Sequence, residues 1–152
     1  MDYDLIVIGS GPGGYHAAIR AAQLGLKTAC VEKEFVGGVC LNVGCIPTKA
    51  LLHVAGTVRQ ARGAGEFGLD FGNPELDTDK LMEWKDKVVR QLTGGVSQLF
   101  KGNKVDLIEG EAKFTDANTI TAGGKSYSAR SFIVATGSSS VNVPGFEVDN
   151  DT

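Results

Sequence analysis

Basic residues are not in excess in this sequence: 15 Lys and Arg stand against 18 Asp and Glu in 152 residues, for a net charge of −3 and a pI near 5.3. No basic stripe runs along the chain, which argues against nucleic-acid binding. A secretory leader is not expected either. The start, "MDYDLIVIGSG", has two acids and a short apolar run, where a secretory signal needs a basic start and a longer apolar core. No apolar stretch approaches the ~20 residues of a membrane helix. The expectation is a cytoplasmic protein without a membrane partner. Cysteine is scarce, with three residues. In a reducing compartment a structural disulfide is uncommon and a catalytic one is the usual exception. Cys30, inside the apparent strand "KTACVEK", reads as a buried filler.

Glycine is what the chain has in quantity: 21 residues, about twice an average usage of ~7%. The glycines are not periodic and apolar runs separate them, so collagen is excluded and disorder disfavoured. They read as turns and as places where backbone comes close to a ligand.

The order of elements predicts an α/β fold. "YDLIVIG" (3–9) is a continuous apolar run suited to a buried parallel strand. Residues 12–25 read as a helix whose Ala17, Ala18, Ala21 and Ala22 allow close packing and whose end Gly25 can cap. Residues 27–33 are a second strand, closing one βαβ unit. A helix is expected over 41–62, a glycine-rich loop over 63–76 and a long amphipathic helix over 77–102. Leu81, Trp84, Val88, Leu92, Val96 and Leu99 mark its apolar face, Asp77 or Thr78 its cap, and Gly94–Gly95 a weak middle. A strand over 104–110, a small antiparallel meander from "EAKFT", "NTITA" and "KSYSA", and a returning parallel strand "SFIVATG" (131–137) complete the pattern. The prediction is a Rossmann-like domain over 1–140, with parallel sheet, flanking helices and the meander. The polar, turn-rich stretch 141–152 reads as a linker.

"GSGPGG" places Gly9, Gly11 and Gly14 at the G-x-G-x-x-G spacing between a strand and a helix. The spacing serves a tight turn, close approach of a pyrophosphate and close packing of helix on sheet. Free N–H groups at the helix start then favour the diphosphate. Glu32 ends the second strand, 23 residues after Gly9, where a carboxylate can take hydrogen bonds from an adenosine ribose. Dinucleotide binding follows, without a choice between NAD and FAD. An acid at position 32 argues against a 2′-phosphate there.

Behind this motif, "GGVCLNVGCIPTK" (37–49) sets Cys40 and Cys45 five apart. Metal ligands, core fillers and a redox pair are three readings. Structural zinc usually takes four ligands. These cysteines have no second pair, and His16 and His53 lack ligand spacing, so no metal site is expected. A disulfide carries a geometric condition. Residues five apart on a regular helix have Cα atoms ~8.7 Å apart, whereas a disulfide wants less than ~7 Å. Gly44 between the cysteines and Pro47 after them supply the backbone freedom such a bond requires. A helix N-terminus also favours a thiolate. The residues by themselves leave both a core pair and a redox pair standing.

Taken in order, "GSGPGGYHAA", "VEK", "GGVCLNVGCIPTKALLH", "EGEAKF" and "ATGS" resemble the flavoprotein disulfide reductases over essentially the whole chain. "IPTKALLH" is most similar to the members that oxidise dihydrolipoamide. The resemblance implies noncovalent FAD at Gly9, Gly11, Pro12, Gly13 and Gly14, with Glu32 and Lys33 at the adenosine ribose. It implies a redox-active disulfide between Cys40 and Cys45 beside the flavin, flanked by Gly38 and Val39. Cys40 would exchange with the dihydrolipoyl substrate, Cys45 would make the charge-transfer contact, and Lys49 would lie near the flavin ring. Gly110 and Ala112 would touch the adenine end. Ala135, Thr136, Gly137 and Ser138 would pass close to the cofactor. Electrons would run from dihydrolipoamide to the disulfide, to FAD and to NAD+. The implied partners are dihydrolipoyl groups of a 2-oxoacid dehydrogenase or glycine cleavage complex, and a second copy in a homodimer.

The sequence departs from the family in two ways. The loop "EKEFVGGVC" is about a residue short. The chain also stops near the end of the first FAD segment, so it is incomplete relative to the family. Without a second G-x-G-x-x-G, the later FAD segment and the interface domain with its His–Glu pair, residues 1–152 alone are expected to turn over little. His16 and His53 do not match that histidine. Other readings are a mercuric or glutathione type of reductase, a non-catalytic FAD-binding module, and a plain NAD-binding domain, which leaves the cysteines unexplained.

Overall fold

The computed structural model describes residues 1–139, 141 and 143–146. Its centre is β1 (Tyr3–Ile8), whose side chains alternate between two cores. Leu5 and Val7 face one side, with Cys30, Ala18, Ala21, Val96 and Phe100. Ile6 and Ile8 face the other, with Ala29, Val31, Ile108, Ile120, Ala122 and Ala129. Both faces are covered, which is why the strand reads as an unbroken apolar run rather than an alternating one.

β1 pairs in parallel with β2 (Thr28–Glu32) on one side, and β2 pairs in parallel with β3 (Asp106–Glu109). On the other side β1 pairs in parallel with β6 (Lys125–Val134), and β4 (Lys113–Asp116) and β5 (Thr119–Ala122) follow. The order is β3-β2-β1-β6-β5-β4. The predicted parallel sheet, flanking helices and meander are all present.

The meander and the returning strand are not separate. β6 is one ten-residue strand, antiparallel to β5 over Lys125–Ser128 and parallel to β1 from Ala129 to Val134. No Gly, Pro or Asn stands between Tyr127 and Phe132 to turn the chain, so a single strand serves both partners. The turn at Gly123 meanwhile reaches Gly110, just past β3.

Helix α1 (Pro12–Gln23) joins β1 to β2 and ends two residues before the predicted bound. Gly25 lies past it at φ +89°. Its N–H donates to Ala22 O, and Leu26 N–H donates to Ala21 O. This paired closure satisfies the last carbonyls and needs a left-handed residue at Gly25. The fully buried Ala18 lets α1 lie close on the sheet.

The helix expected over 41–62 is two helices, α2 (Gly38–Asn42) and α3 (Cys45–Gly63), interrupted at Val43–Gly44. The predicted loop over 63–76 begins with a tight 3₁₀ turn at Ala64–Phe67. Helix α4 (Thr78–Gly102) runs unbroken through Gly94–Gly95, and Asp77 Oδ1 accepts the Lys80 N–H at its start. Its buried residues are Val96 and Phe100. Trp84, Leu92 and Leu99 of the predicted face are 40%, 40% and 51% exposed. The apolar period is right, but only the C-terminal end of α4 joins the core on the sheet. Nearer its N-terminus, Trp84 lies against His53 of α3. Phe100, absent from the predicted stripe, is the largest fully buried side chain, a burial worth about 1.5–3 kcal/mol.

Gly38–Phe67 contains an 18-residue window of mean hydropathy 1.3, long and apolar enough by composition to cross a membrane, and 11% of that window is buried. The break at Val43–Gly44 divides that stretch. Of the predicted linker, Asn142 and residues 147–152 lie outside the described residues, as does Ser140 just before it, and Val143 and Phe146 form an isolated bridge.

Candidate functional site

The site begins where β1 gives way to α1. Gly9 leaves the strand at φ +98°, its N–H donating to Val31 O at 2.8 Å. A side chain at Gly14 would run into the Gly9 carbonyl, coming 2.8 Å from its carbon, so helix and strand meet backbone to backbone. Gly11 and Gly13 differ: a Cβ at either meets nothing within 4 Å. Gly11 is the N-cap and Pro12 opens the helix. Proline lacks an N–H where one would be unpaired anyway. The first-turn amides of Gly13 and Gly14 have no intrahelical acceptor, and the helix dipole is positive there. The result is an open, glycine-walled cradle for an anion.

Glu32 is held beside this cradle. Its Oε2 accepts the Ser10 N–H at 2.9 Å and the Ser10 hydroxyl at 2.5 Å, while Oε1 accepts the Glu34 N–H at 2.9 Å. Burial works to raise the carboxyl pKa. The Ser10 hydroxyl and the Glu34 and Ser10 amides outweigh it and leave Glu32 below its ordinary value, so it is charged at neutral pH. Each carboxylate oxygen takes about two hydrogen bonds, so Oε2 is filled and Oε1 keeps a place for one more. Ser10 is the residue that sequence reasoning missed. The available signal was a small hydroxyl inside G-x-G with an acid ending the next strand.

The cysteines follow. Cys40 lies in α2 and Cys45 is the first residue of α3, and they form a disulfide with Cα atoms 4.6 Å apart. A regular helix would hold them ~8.7 Å apart. The difference is made at Val43–Gly44, where both N–H groups donate to Val39 O, at 3.0 and 2.7 Å. Asn42 fastens the turn from the other side, its Nδ2 donating to Val36 O at 3.0 Å and Gly38 O at 2.9 Å. Cys40 is half-buried against the core and Cys45 is exposed. The segment is pressed onto the glycine loop. A Cβ at Gly38 would come 2.7 Å from Gly11 Cα, and Gly37 N–H donates to the Ser10 carbonyl at 3.1 Å. The glycine turn, Glu32 and the disulfide segment are thus tied together through Ser10, Gly11 and Gly38.

Comparison with known proteins agrees with this geometry. The family described as pyridine nucleotide-disulphide oxidoreductase matches residues 3–152. The chain belongs to that family. It is 60% identical to a dihydrolipoyl dehydrogenase of Thermus scotoductus, an alignment covering 98% of this chain and 32% of that protein. It is 48% identical to a dihydrolipoyl dehydrogenase of Geobacillus stearothermophilus, covering 99% of this chain and 33% of that protein. Among solved structures, the HOCl-induced flavoprotein disulfide reductase RclA from Escherichia coli superposes with a TM-score of 0.77 at 26% identity, covering 93% of this chain and 30% of that one. The chain therefore spans about a third of the length of the relatives it matches.

This family of oxidoreductases is FAD-dependent, and the residues present fit that cofactor. The space above Gly11 and Gly13 is open, a side chain at Gly38 would crowd the loop, and Glu32 Oε1 has acceptor capacity. Ala135 and Thr136 belong to the same cluster. Ala135 N–H donates to Ile8 O, and Thr136 Cα would lie 3.2 Å from a Cβ at Gly9. Gly137 and Ser138 follow, both exposed. Gly110 N–H donates to Glu32 O at 2.8 Å, at φ +136° and packed on Gly123, so the fold accounts for this glycine by itself. Ala112 packs against the second core. Pro12, Gly13, Lys33, Val39 and Lys49 are exposed. Lys49 stands one turn after Cys45 on α3.

The remaining candidates are local features. Burial, with the Glu32 charge behind it, pushes the Cys30 thiol up to about 12, so it stays protonated and unreactive. His16 Nδ1 sits 2.8 Å from Pro12 O, and His53 lies against Trp84. Among the described residues, no three His, Cys, Asp or Glu side chains are grouped to hold a metal.

Proposed function

We propose that this chain is the FAD- and disulfide-bearing part of a dihydrolipoyl dehydrogenase, oxidising dihydrolipoyl groups with NAD+ as final acceptor. The observation that carries the reading is the Cys40–Cys45 disulfide seated against the glycine cradle through Gly38 and Gly11. The 60% and 48% identities to dihydrolipoyl dehydrogenases support the substrate class. Gly9, Gly11, Gly13 and Gly14 would hold the diphosphate and Glu32 the adenosine ribose. Val39, Lys49 and Thr136–Ser138 would line the rest. Bound there, FAD would supply two-electron exchange between a thiol pair and a nicotinamide.

The chain's own chemistry is thiol–disulfide exchange. One thiolate of the substrate dithiol attacks Cys40 Sγ. The Cys40–Cys45 bond breaks, and Cys45 leaves as a thiolate. The second substrate thiol then attacks the substrate sulfur of the mixed disulfide, and its proton passes to the departing Cys40 sulfur. The cyclic disulfide product departs and Cys40 is released reduced. The substrate has lost two electrons and the cysteine pair has gained them. Partners of this chemistry are lipoyl-bearing proteins of a 2-oxoacid dehydrogenase or glycine cleavage complex, with the reductase working as a homodimer in a reducing, cytoplasmic setting.

Turnover by the longest natural form of the protein tests this reading. Dihydrolipoamide with NAD+ is expected to exceed glutathione disulfide or Hg(II) with NADPH by at least ~100-fold in kcat/KM. Preference for either of the latter would instead assign the chain to another branch of the family.

A further inference from the structure

Ser10 is completely buried between Gly9 and Gly11. Its hydroxyl has one proton to give and two lone pairs. Glu32 Oε2 lies at 2.5 Å and the Phe35 carbonyl at 3.5 Å, so the proton goes to the carboxylate. A lone pair accepts the Gly37 N–H at 3.2 Å. The Ser10 N–H donates to the same Glu32 oxygen at 2.9 Å. One small side chain therefore joins the glycine loop, the end of β2 and the turn that leads into the disulfide segment.

We propose that Ser10 is a positioning residue. Its hydroxyl clamps Oε2 so that Oε1 is held toward the cofactor's ribose, and it fixes that carboxylate relative to the Gly37–Cys40 turn. The proposal deepens the FAD reading above and rests on it. A free glutamate side chain loses considerable rotamer entropy when a ligand fixes it. Ser10 imposes that order before the cofactor arrives. Its bond is of the charge-assisted kind, about twice as strong as a neutral one. Alanine at position 10 would leave Oε2 with the backbone N–H alone. Gly37 N–H would keep the Ser10 carbonyl, so the loop itself retains its main-chain tie.

A double-mutant cycle on FAD affinity is the test. Flavin-free natural protein is titrated with FAD and flavin fluorescence is followed, for wild type, Ser10→Ala, Glu32→Ala and the double variant. Ser10→Ala is expected to raise the dissociation constant about tenfold or more. In the Glu32→Ala background the same change should alter it by less than about twofold. Equal factors in the two backgrounds, or no weakening by Ser10→Ala, would overturn the proposal and reduce Ser10 to a space-filling role. Ser10→Cys keeps the volume and weakens the donor, and completes the same cycle if the alanine variant does not fold. A wild-type protein that binds no FAD overturns the FAD reading and this proposal with it. FAD binding with an additive cycle overturns only the role of Ser10.

Discussion

Gly14→Ala is expected to cost the protein its flavin. The new methyl would overlap the Gly9 carbonyl, 2.8 Å from its carbon and 3.6 Å from the Ala135 side chain. The main obstacle is backbone just past the end of the central strand, tied to β2 through the Gly9 N–H, and it cannot rotate away as a side chain would. Either α1 lifts off the sheet or the glycine turn deforms, and both displace the first-turn amides that would face the diphosphate. Losing two charge-assisted hydrogen bonds to the diphosphate, at about 1.5–3 kcal/mol each, should lower FAD affinity on the order of 100-fold or more. Overpacking of this sort costs about 1–3 kcal/mol, a drop in Tm of ~2–12 °C for a domain of this size. Gly56→Ala is the control. It lies inside α3, and a Cβ there meets nothing within 4 Å, so stability should be unchanged or rise by ~0.5–1 kcal/mol. Flavin content per chain and thermal melts of the two variants check this. Gly14→Ala with wild-type flavin affinity would show that the cradle is not where the cofactor binds.

The second large effect belongs to the cysteines. Cys40→Ser and Cys45→Ser should each lower dihydrolipoamide turnover by at least three orders of magnitude, as loss of a nucleophile does elsewhere, while FAD stays bound. The two differ in colour. Cys40→Ser leaves the Cys45 thiolate to colour the flavin at long wavelength. Cys45→Ser leaves only the half-buried Cys40, and that absorption should be missing. Absorbance of the purified variants near neutral pH, together with turnover, checks both halves. The same band in both variants would mean that the roles of the two sulfurs are not divided in this way.

Much of this site was legible because local chemistry dictates it. The apolar run before Gly9, the glycine spacing and the acid at 32 each have one inexpensive structural solution, and the structure adopts it. The gap between ~8.7 Å on a helix and a bonding distance also set a condition, that a Cys40–Cys45 disulfide would need a distorted segment. It did not show that the break would put one cysteine at the end of α2 and the other at the start of α3. β6 was divided in two because its halves pair in opposite senses, and pairing sense is a property of neighbours. The stripe on α4 had the right period, but no period tells how far along a helix the sheet extends. The tie of Ser10 to Gly37 and the contact of Gly38 with Gly11 were illegible for a similar reason. They join residues 27 apart in the chain, and nothing local in either segment names the other.

The central claim is that FAD lies on the glycine cradle beside a working Cys40–Cys45 disulfide. A reductive titration of the longest natural form, followed by its visible spectrum, tests it most directly. The first two electrons should open the disulfide, keep the main absorption of oxidised flavin and add a long-wavelength charge-transfer band. A colourless protein, or a flavin that bleaches with the first two electrons while the cysteines remain linked, would contradict it.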